Sequence, residues 1–280
     1  MDAADYELQK EPQAPPPPRS RGPSPVPVIV GAIAIVAVVA GFFYMRRDTA
    51  GPASSSGAIA TDTAIPPTPP LGVEVPPIEL PPLEASDDLV RMLVRGLSSH
   101  PRVAAWLTTN GLIRNVTVVV DNIAAGQTPA RHLRVLKPNG PFTIIDVPGG
   151  DALIDPRSYA RYNDVAAAVA SVNPAGAAKL YSTLKPRIEE AYEEIGAGRP
   201  FDRTLETAIV QLLETPPVEG EIALVPRGAL YTFSDLRIER LTQAQKQLAR
   251  MGARNVRVIQ GRLRDIAREL GIPPERLPPR

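Results

Sequence analysis

Apolar and polar positions divide this chain into unlike stretches. Residues 28–45, VIVGAIAIVAVVAGFFYM, carry no charge and nothing more polar than the Tyr44 hydroxyl. As a helix this stretch is roughly 27 Å long at about 1.5 Å per residue, close to the hydrocarbon thickness of a bilayer at about 30 Å. A backbone in lipid must satisfy its own hydrogen bonds, so the pattern predicts one membrane-crossing helix, with Val28, Ile35, Val39 and Met45 along its apolar length. A core helix of this length ordinarily carries a polar stripe, and a cleavable leader has a shorter apolar region with small residues at its exit. The exit here is Phe42-Phe43-Tyr44-Met45-Arg46-Arg47, bulky and then basic, which suits a water–lipid boundary.

Beyond residue 82 the apolar positions take up helical spacing. Ser86-Asp87-Asp88 reads as a helix start, followed by Leu89, Met92, Leu93 and Leu97 on one face. Pro101 suits a first helical position, and Asn110-Gly111 stops that turn. LIRNVTVVVDNIAAG (112–126) satisfies both periods: Val116 to Val120 favours strand, whereas Leu112, Val116, Val119 and Ile123 with Gly126 as terminator favour helix, which is the assignment adopted. HLRVLKP and PFTIIDV, separated by Asn139-Gly140, predict a short hairpin or extended pair. Asp155-Pro156 opens a string of helices to Thr215, punctuated by Asn173-Pro174, Pro186, Gly196 and Pro200-Phe201-Asp202. EIALVP and ALYTF predict a second extended pair around Arg227-Gly228. Thr242 with Gln245 makes a capping box, Gly252 breaks the helix that follows, and a last helix carries Val256, Ile259, Leu263, Ile266 and Leu270 until Pro273-Pro274. The expected fold is mainly α with minor β: a helical globular domain with two short extended or hairpin segments.

Composition sets the boundaries. Seventeen of the 33 prolines precede Leu83, so the first part of the chain cannot bury enough apolar surface to offset chain entropy. The expected organisation is a disordered tail (1–27), the membrane helix (28–45), a Pro/Ser/Gly-rich linker (46–82), the globular domain (83–272) and a short C-terminal tail (273–280). As polyproline II the linker reaches about 100 Å at roughly 3.1 Å per residue, a tether that lets a folded unit work away from the bilayer. Basic residues flanking the membrane helix number three before and two after, nearly a tie. The long cation-free linker favours the tail inside and the large domain outside. With no cysteine, disulfides, thiolate metal sites and cysteine nucleophiles are excluded.

LPPLEASDDLV at 80–90, LIRNVTVVVDNIAAG at 112–126, DPRSYARYN at 155–163, ALYTFSD at 229–235 and LTQAQKQLARMG at 241–252 resemble the bacterial family catalogued as domain of unknown function 3014. The resemblance covers about residues 80–271. It implies the layout of short tail, single membrane helix, proline-rich linker and C-terminal domain; with the apolar run, the expected location is the bacterial inner membrane. It implies no activity, cofactor or catalytic residue.

Charge supplies the first lead to function. The net charge is +1, yet residues 240–280 hold ten Lys/Arg against three Asp/Glu. Arg250, Arg254, Arg257, Arg264 and Arg268 recur at spacings of three, four and seven, which places them along one side of the last helices, apart from the apolar stripe. Guanidinium groups take carboxylates and phosphates bidentately. For an outward-facing domain the matching partners are anionic lipid, an anionic envelope polymer or an acidic protein; the bland alternative is a solvated face paired with Asp265 and Glu269. Nucleic acid is not expected, because base-stacking aromatics are missing from this segment, and it returns as a reading only if the topology is reversed. The second lead is Asp146, Asp151, Asp155 and Asp164, four carboxylates near Gly149-Gly150 that suit calcium or an acid/base pair in an envelope hydrolase. The test of that reading is convergence on one cleft. No phosphate loop, GxSxG elbow or paired histidine is present, so neither a cofactor nor a metal is expected. The leading reading is a non-enzymatic binding or scaffold module projected from a membrane.

Overall fold

The computed structural model describes residues 70–196, 198–228 and 230–279. The predicted membrane helix with Val28, Ile35, Val39 and Met45, the tail and most of the linker lie outside the described residues. Among the described residues no helix is long and apolar enough to cross a membrane.

After a 3-10 turn at Leu83–Ala85, helix α1 spans Asp87–Arg95, with two acids in its first turn facing the positive end of its dipole. Ser86 does not cap it, because its hydroxyl turns back to the Leu83 carbonyl at 2.7 Å. Asp87 instead accepts the Gly111 and Leu112 amides, each at 2.8 Å, and so caps a helix further along the chain. Helix α2 (Pro101–Trp106) begins with Pro101, and His100 Nδ1 accepts the Arg102 amide at 3.2 Å. The ambiguous valine run folds as helix α3 (Leu112–Ala124), since helical spacing brings Leu112, Ile113 and Thr117 together into the core.

The first extended pair departs from expectation. Arg134–Leu136 forms a 3-10 turn, and strand β1 is Ile144–Ile145, pairing with β2 (Ala152–Ile154) across the Gly149-Gly150 turn rather than across Asn139-Gly140. Helices α4 (Pro156–Ala160), α5 (Asn163–Ala170), α6 (Pro174–Glu194) and α7 (Phe201–Leu213) follow. Pro186 does not punctuate this string. It sits inside α6, which continues for two more turns because Tyr181, Leu184, Ile188 and Tyr192 are all buried by neighbouring helices. Strands β3 (Ala223–Arg227) and β4 (Leu230–Phe233) form the second hairpin as expected. They join the first pair in one antiparallel sheet of order β1-β2-β3-β4. Helices α8 (Leu236–Glu239), α9 (Gln243–Ala249) and α10 (Ala253–Glu269) complete the fold. The capping box at Thr242 and Gln245 is formed. Gly252 stands between α9 and α10 with φ +82°, and a Cβ there would lie 2.8 Å from the Tyr159 ring. Only glycine fits both the torsion and the space.

The protein is thus mainly helical with a small four-stranded antiparallel sheet. Its largest core lies among α1, α3, α6, α7 and the end of α10, centred on Leu112, Leu184, Tyr192 and Phe201. The Tyr192 ring meets Phe201 edge-on at 5.2 Å between centroids. A second cluster, with Ile154, Ile222, Leu224, Phe233 and Ile238, lies under the sheet. A third joins α5 to α9 and α10 through Ala166, Leu248, Val256 and Ile259.

Both ends of the domain extend past the boundaries expected from composition. Leu71 is buried in the main core, the Val73 amide donates to Ser182 Oγ at 2.7 Å, and the Gly72 amide donates to the Leu270 carbonyl at 3.0 Å. Arg187 holds the carbonyls of Leu80 and Pro81 at 3.1 and 2.8 Å. Residues 71–82 therefore lie along the folded domain as a strap, not in the linker: proline removes amide donors but leaves carbonyls for Arg187 to bind. At the other end, Leu277 packs on the main core and Arg264 binds the carbonyls of Pro278 and Pro279.

Candidate binding sites

The five arginines of the basic stripe separate into three groups. Arg250, at the end of α9, lays its guanidinium 5.4 Å from the Phe233 ring centroid and serves the sheet. Arg254 is exposed in the first turn of α10. Arg257, Arg264 and Arg268 come together along one groove, walled by Pro216-Pro217 on one side and Pro278-Pro279 on the other. Arg257 pairs with Glu219, Arg268 with Asp265 at 2.5 Å, and Arg264 donates to the Pro278 and Pro279 carbonyls at 2.6 and 2.9 Å. Gln260, buried beside them, donates to the Thr215 carbonyl at 2.8 Å and fixes the loop wall to the helix.

The four aspartates do not converge. Asp155 caps α4 through the Arg157 amide at 2.8 Å and holds the Arg157 side chain; those hydrogen bonds keep its carboxyl below the usual carboxylate range. Asp164 is bound by Arg102 at 2.5 Å, which lowers its pKa likewise, and His100 Nε2 lies 3.6 Å away. Asp151 accepts the Ser234 hydroxyl at 2.5 Å at the sheet edge, and Asp146 is exposed on the β1–β2 turn. Two are tied to arginines, Asp151 is tied to Ser234, and Asp146 is exposed. Among the described residues no group of three or more His, Asp or Glu is placed to hold a metal ion.

A second, apolar feature has no counterpart in the pattern of the sequence. Between α1, α2, α3, α5 and α6 lies a cleft of about 340 Å³. Its walls are Val90 and Val94 from α1, Trp106 from α2, Ile113 and Val116 from α3, Val165 and Ala168 from α5, and Leu180 and Leu184 from α6. Polar groups stand at its rim. Ser98 and Ser171 hydroxyls share a hydrogen bond at 2.6 Å, and Arg102 spans from Asp164 to the Lys137 carbonyl at 3.2 Å. Tyr181 bridges wall and strap: its ring lines the cleft, and its hydroxyl donates to Asp202, which also accepts Lys185 Nζ at 2.6 Å and the Leu71 amide at 3.1 Å. Burial, and then the hydrogen bond to the Asp202 carboxylate, push the Tyr181 phenol pKa up.

The model of the family described as "Protein of unknown function (DUF3014)" matches residues 112–267, more than half of the chain. The chain belongs to that family. The DUF3014 span takes in the sheet, α3 to α9 and most of α10, and therefore most of the cleft wall and the arginines up to Arg264. It leaves out α1, α2, the strap and Arg268. No curated protein and no solved structure matches the chain.

The cleft was missed because its walls come from five helices and its contacts run from Val90 to Ile188. One signal was present. Ala168 in α5 and Ala177 in α6 line the cleft, small residues where larger ones would close the space.

Proposed function

We propose that this DUF3014 chain is a non-enzymatic binding module that takes an apolar chain, such as the acyl chain of a lipid or fatty acid, into the cleft between α1, α2, α3, α5 and α6. The observation that carries this is the cleft's volume of about 340 Å³ within walls that are almost wholly aliphatic and aromatic. Protein interiors are ordinarily packed with few voids larger than a water molecule, and ligand pockets begin at about 300 Å³. At roughly 30 Å³ for a group the size of water, the cleft takes a chain of about eleven methylenes. Each buried methylene contributes about 0.8 kcal/mol, about 9 kcal/mol for eleven, which offsets about 4 kcal/mol of lost freedom and leaves a Kd of about 0.3 mM. Polar groups stand at the rim and not in the walls, which favours binding over bond cleavage.

The same proposal places the domain outside the cytoplasm of a bacterial inner membrane, held by residues 28–45 on the linker. The uncharged run over 28–45 and the cation-free linker support that placement. A domain that takes acyl chains and a membrane anchor fit one role, handling lipid or lipidated partners near the bilayer. The envelope-hydrolase reading has no support in the separated aspartates.

Trp106 tests the proposal, because it is the chain's one tryptophan and lies in the cleft wall. Titrating residues 67–280, a compact unit with its own core, with dodecanoate shifts Trp106 emission to the blue with half-saturation at about 0.3 mM ligand. An unchanged spectrum with dodecanoate at millimolar concentration would falsify the assignment.

A further inference from the structure

Among the described residues two glycines sit inside helices, and they differ in what surrounds them. Gly176 in α6 has a steric reason: a Cβ there would come within 2.5 Å of Leu97 Cδ2. Gly261, in the middle of α10, has none, since a Cβ built there meets nothing within 4 Å. A mid-helix glycine costs stability relative to alanine, and its usual compensation is that another group can approach the backbone closely. Gly261 lies on the floor of the basic groove. At 100° per residue, Arg254, Arg257, Gly261, Arg264 and Arg268 fall within one narrow sector of α10, so the gap left by glycine is flanked by guanidinium groups before and after it.

The acceptors that engage these arginines in the structure define the ligand chemistry. Arg257 meets the Glu219 carboxylate, Arg268 meets the Asp265 carboxylate, and Arg264 meets two consecutive main-chain carbonyls, those of Pro278 and Pro279. Carboxylates and successive carbonyls are what an extended acidic peptide presents. The two ion pairs are exposed, so they exchange for a new carboxylate at little cost. Glu214 and Asp265 also line the groove, and they disfavour a densely charged phosphate polymer more than a peptide with spaced acids.

We propose that the groove between α10, the Glu214–Pro217 loop and the Pro278–Pro279 segment is a docking site for an extended acidic peptide segment of a partner protein. The peptide lies over Gly261, with side-chain carboxylates on Arg257 and Arg268 and a main-chain carbonyl within reach of Arg264. This site is separate from the apolar cleft and stands whether or not the cleft takes acyl chains.

The test uses the full-length chain in non-ionic detergent and a fluorescein-labelled ten-residue peptide of alternating glutamate and alanine. Polarisation is expected to rise saturably with a Kd of tens of micromolar at about 0.1 M salt, and a lysine–alanine peptide is expected to give no rise. Gly261→Leu fills the floor and weakens binding at least tenfold, while its Tm is equal to or above that of the unaltered chain, because leucine is the better helix former. That pairing separates a lost site from a lost fold. The proposal is overturned by no saturable binding of the glutamate peptide, or by unchanged affinity in Gly261→Leu. It is also overturned if inorganic polyphosphate displaces the peptide and binds more tightly, which would give the groove to a phosphate polymer.

Discussion

The apolar cleft draws its walls from five helices, with lining residues spread from Val90 to Ile188, whereas the basic groove rests largely on one face of one helix, Arg257 to Arg268. The cleft is therefore a product of tertiary packing, and its shape depends on many buried contacts. The groove is a product of local periodicity, and its charges survive small changes elsewhere. The cleft discriminates by the volume it leaves, the groove by the acceptors it attracts. A change in either should be felt mainly at that site, and the two should answer differently to truncation, pH and salt.

The largest expected effect is on the cleft's framework. Leu184, 4% exposed, lies both in the main core and in the cleft wall. Leu184→Ala should destabilise the domain by about 2–5 kcal/mol, read by urea denaturation, because the space it leaves is only partly refilled. Arg268→Gln in the groove should stay within about 0.5 kcal/mol, since its partner Asp265 is exposed. Equal costs would break the comparison.

Next in size are the two helical glycines. Gly176→Ala should be close to neutral, because turning the end of the Leu97 side chain aside at the cleft's edge offsets the roughly 1 kcal/mol that alanine contributes to a helix. Gly261→Ala should instead stabilise by about 1 kcal/mol and raise Tm by roughly 2–4 °C. Differential scanning calorimetry of the pair would show a clear gain for Gly261→Ala and little change for Gly176→Ala; equal gains would remove the contrast between a glycine kept for packing and one kept for access.

The response to pH comes third. Asp155, Asp164, Asp235 and Glu239 have carboxyl pKa values lowered by hydrogen bonds from Arg157, Arg102, Arg237 and Lys246. Groups with lowered folded pKa contribute stability above their unfolded values of about 4, and that stability is lost as the pH falls through the folded values. Tyr181 works at the other end. Its raised pKa contributes stability that is complete below about pH 10 and lost as the pH rises beyond it. Tm should stay level between about pH 5 and pH 9 and fall on both sides, the alkaline arm shrinking in Tyr181→Phe to the part contributed by Tyr159, whose phenol is pushed up to about 12 by burial. Smallest of all, raising salt from about 0.05 to 0.3 M should weaken peptide binding in the groove several-fold and leave acyl binding in the cleft unchanged.

How much could be read in advance follows the same division. The arginine spacing was legible because helical periodicity alone places Arg257, Arg264 and Arg268 together, although it could not show that Arg250 turns to Phe233. The valine run at 116–120 was settled by its Leu112–Ile113 start and its Gly126 stop, which outweigh the β preference of valine. Pro186 misled because buried neighbours on α6 outweigh the lost helical hydrogen bond. Asn139-Gly140 misled because the hairpin closes at Gly149-Gly150, where β1 and β2 meet. Proline content marked residues 71–82 as linker, yet their carbonyls are what Arg187 needs. The cleft was illegible, since volume left between helices is not a property of any one of them.

The central claim is that the cleft exists to take an apolar chain, and native mass spectrometry addresses it most directly. Residues 67–280 incubated with dodecanoate should fly as a one-to-one complex, and Ala168→Leu, which fills the α5 wall, should remove that adduct while the protein keeps its helical circular dichroism. An adduct that persists in Ala168→Leu, or one never formed by the unaltered domain, would contradict the account.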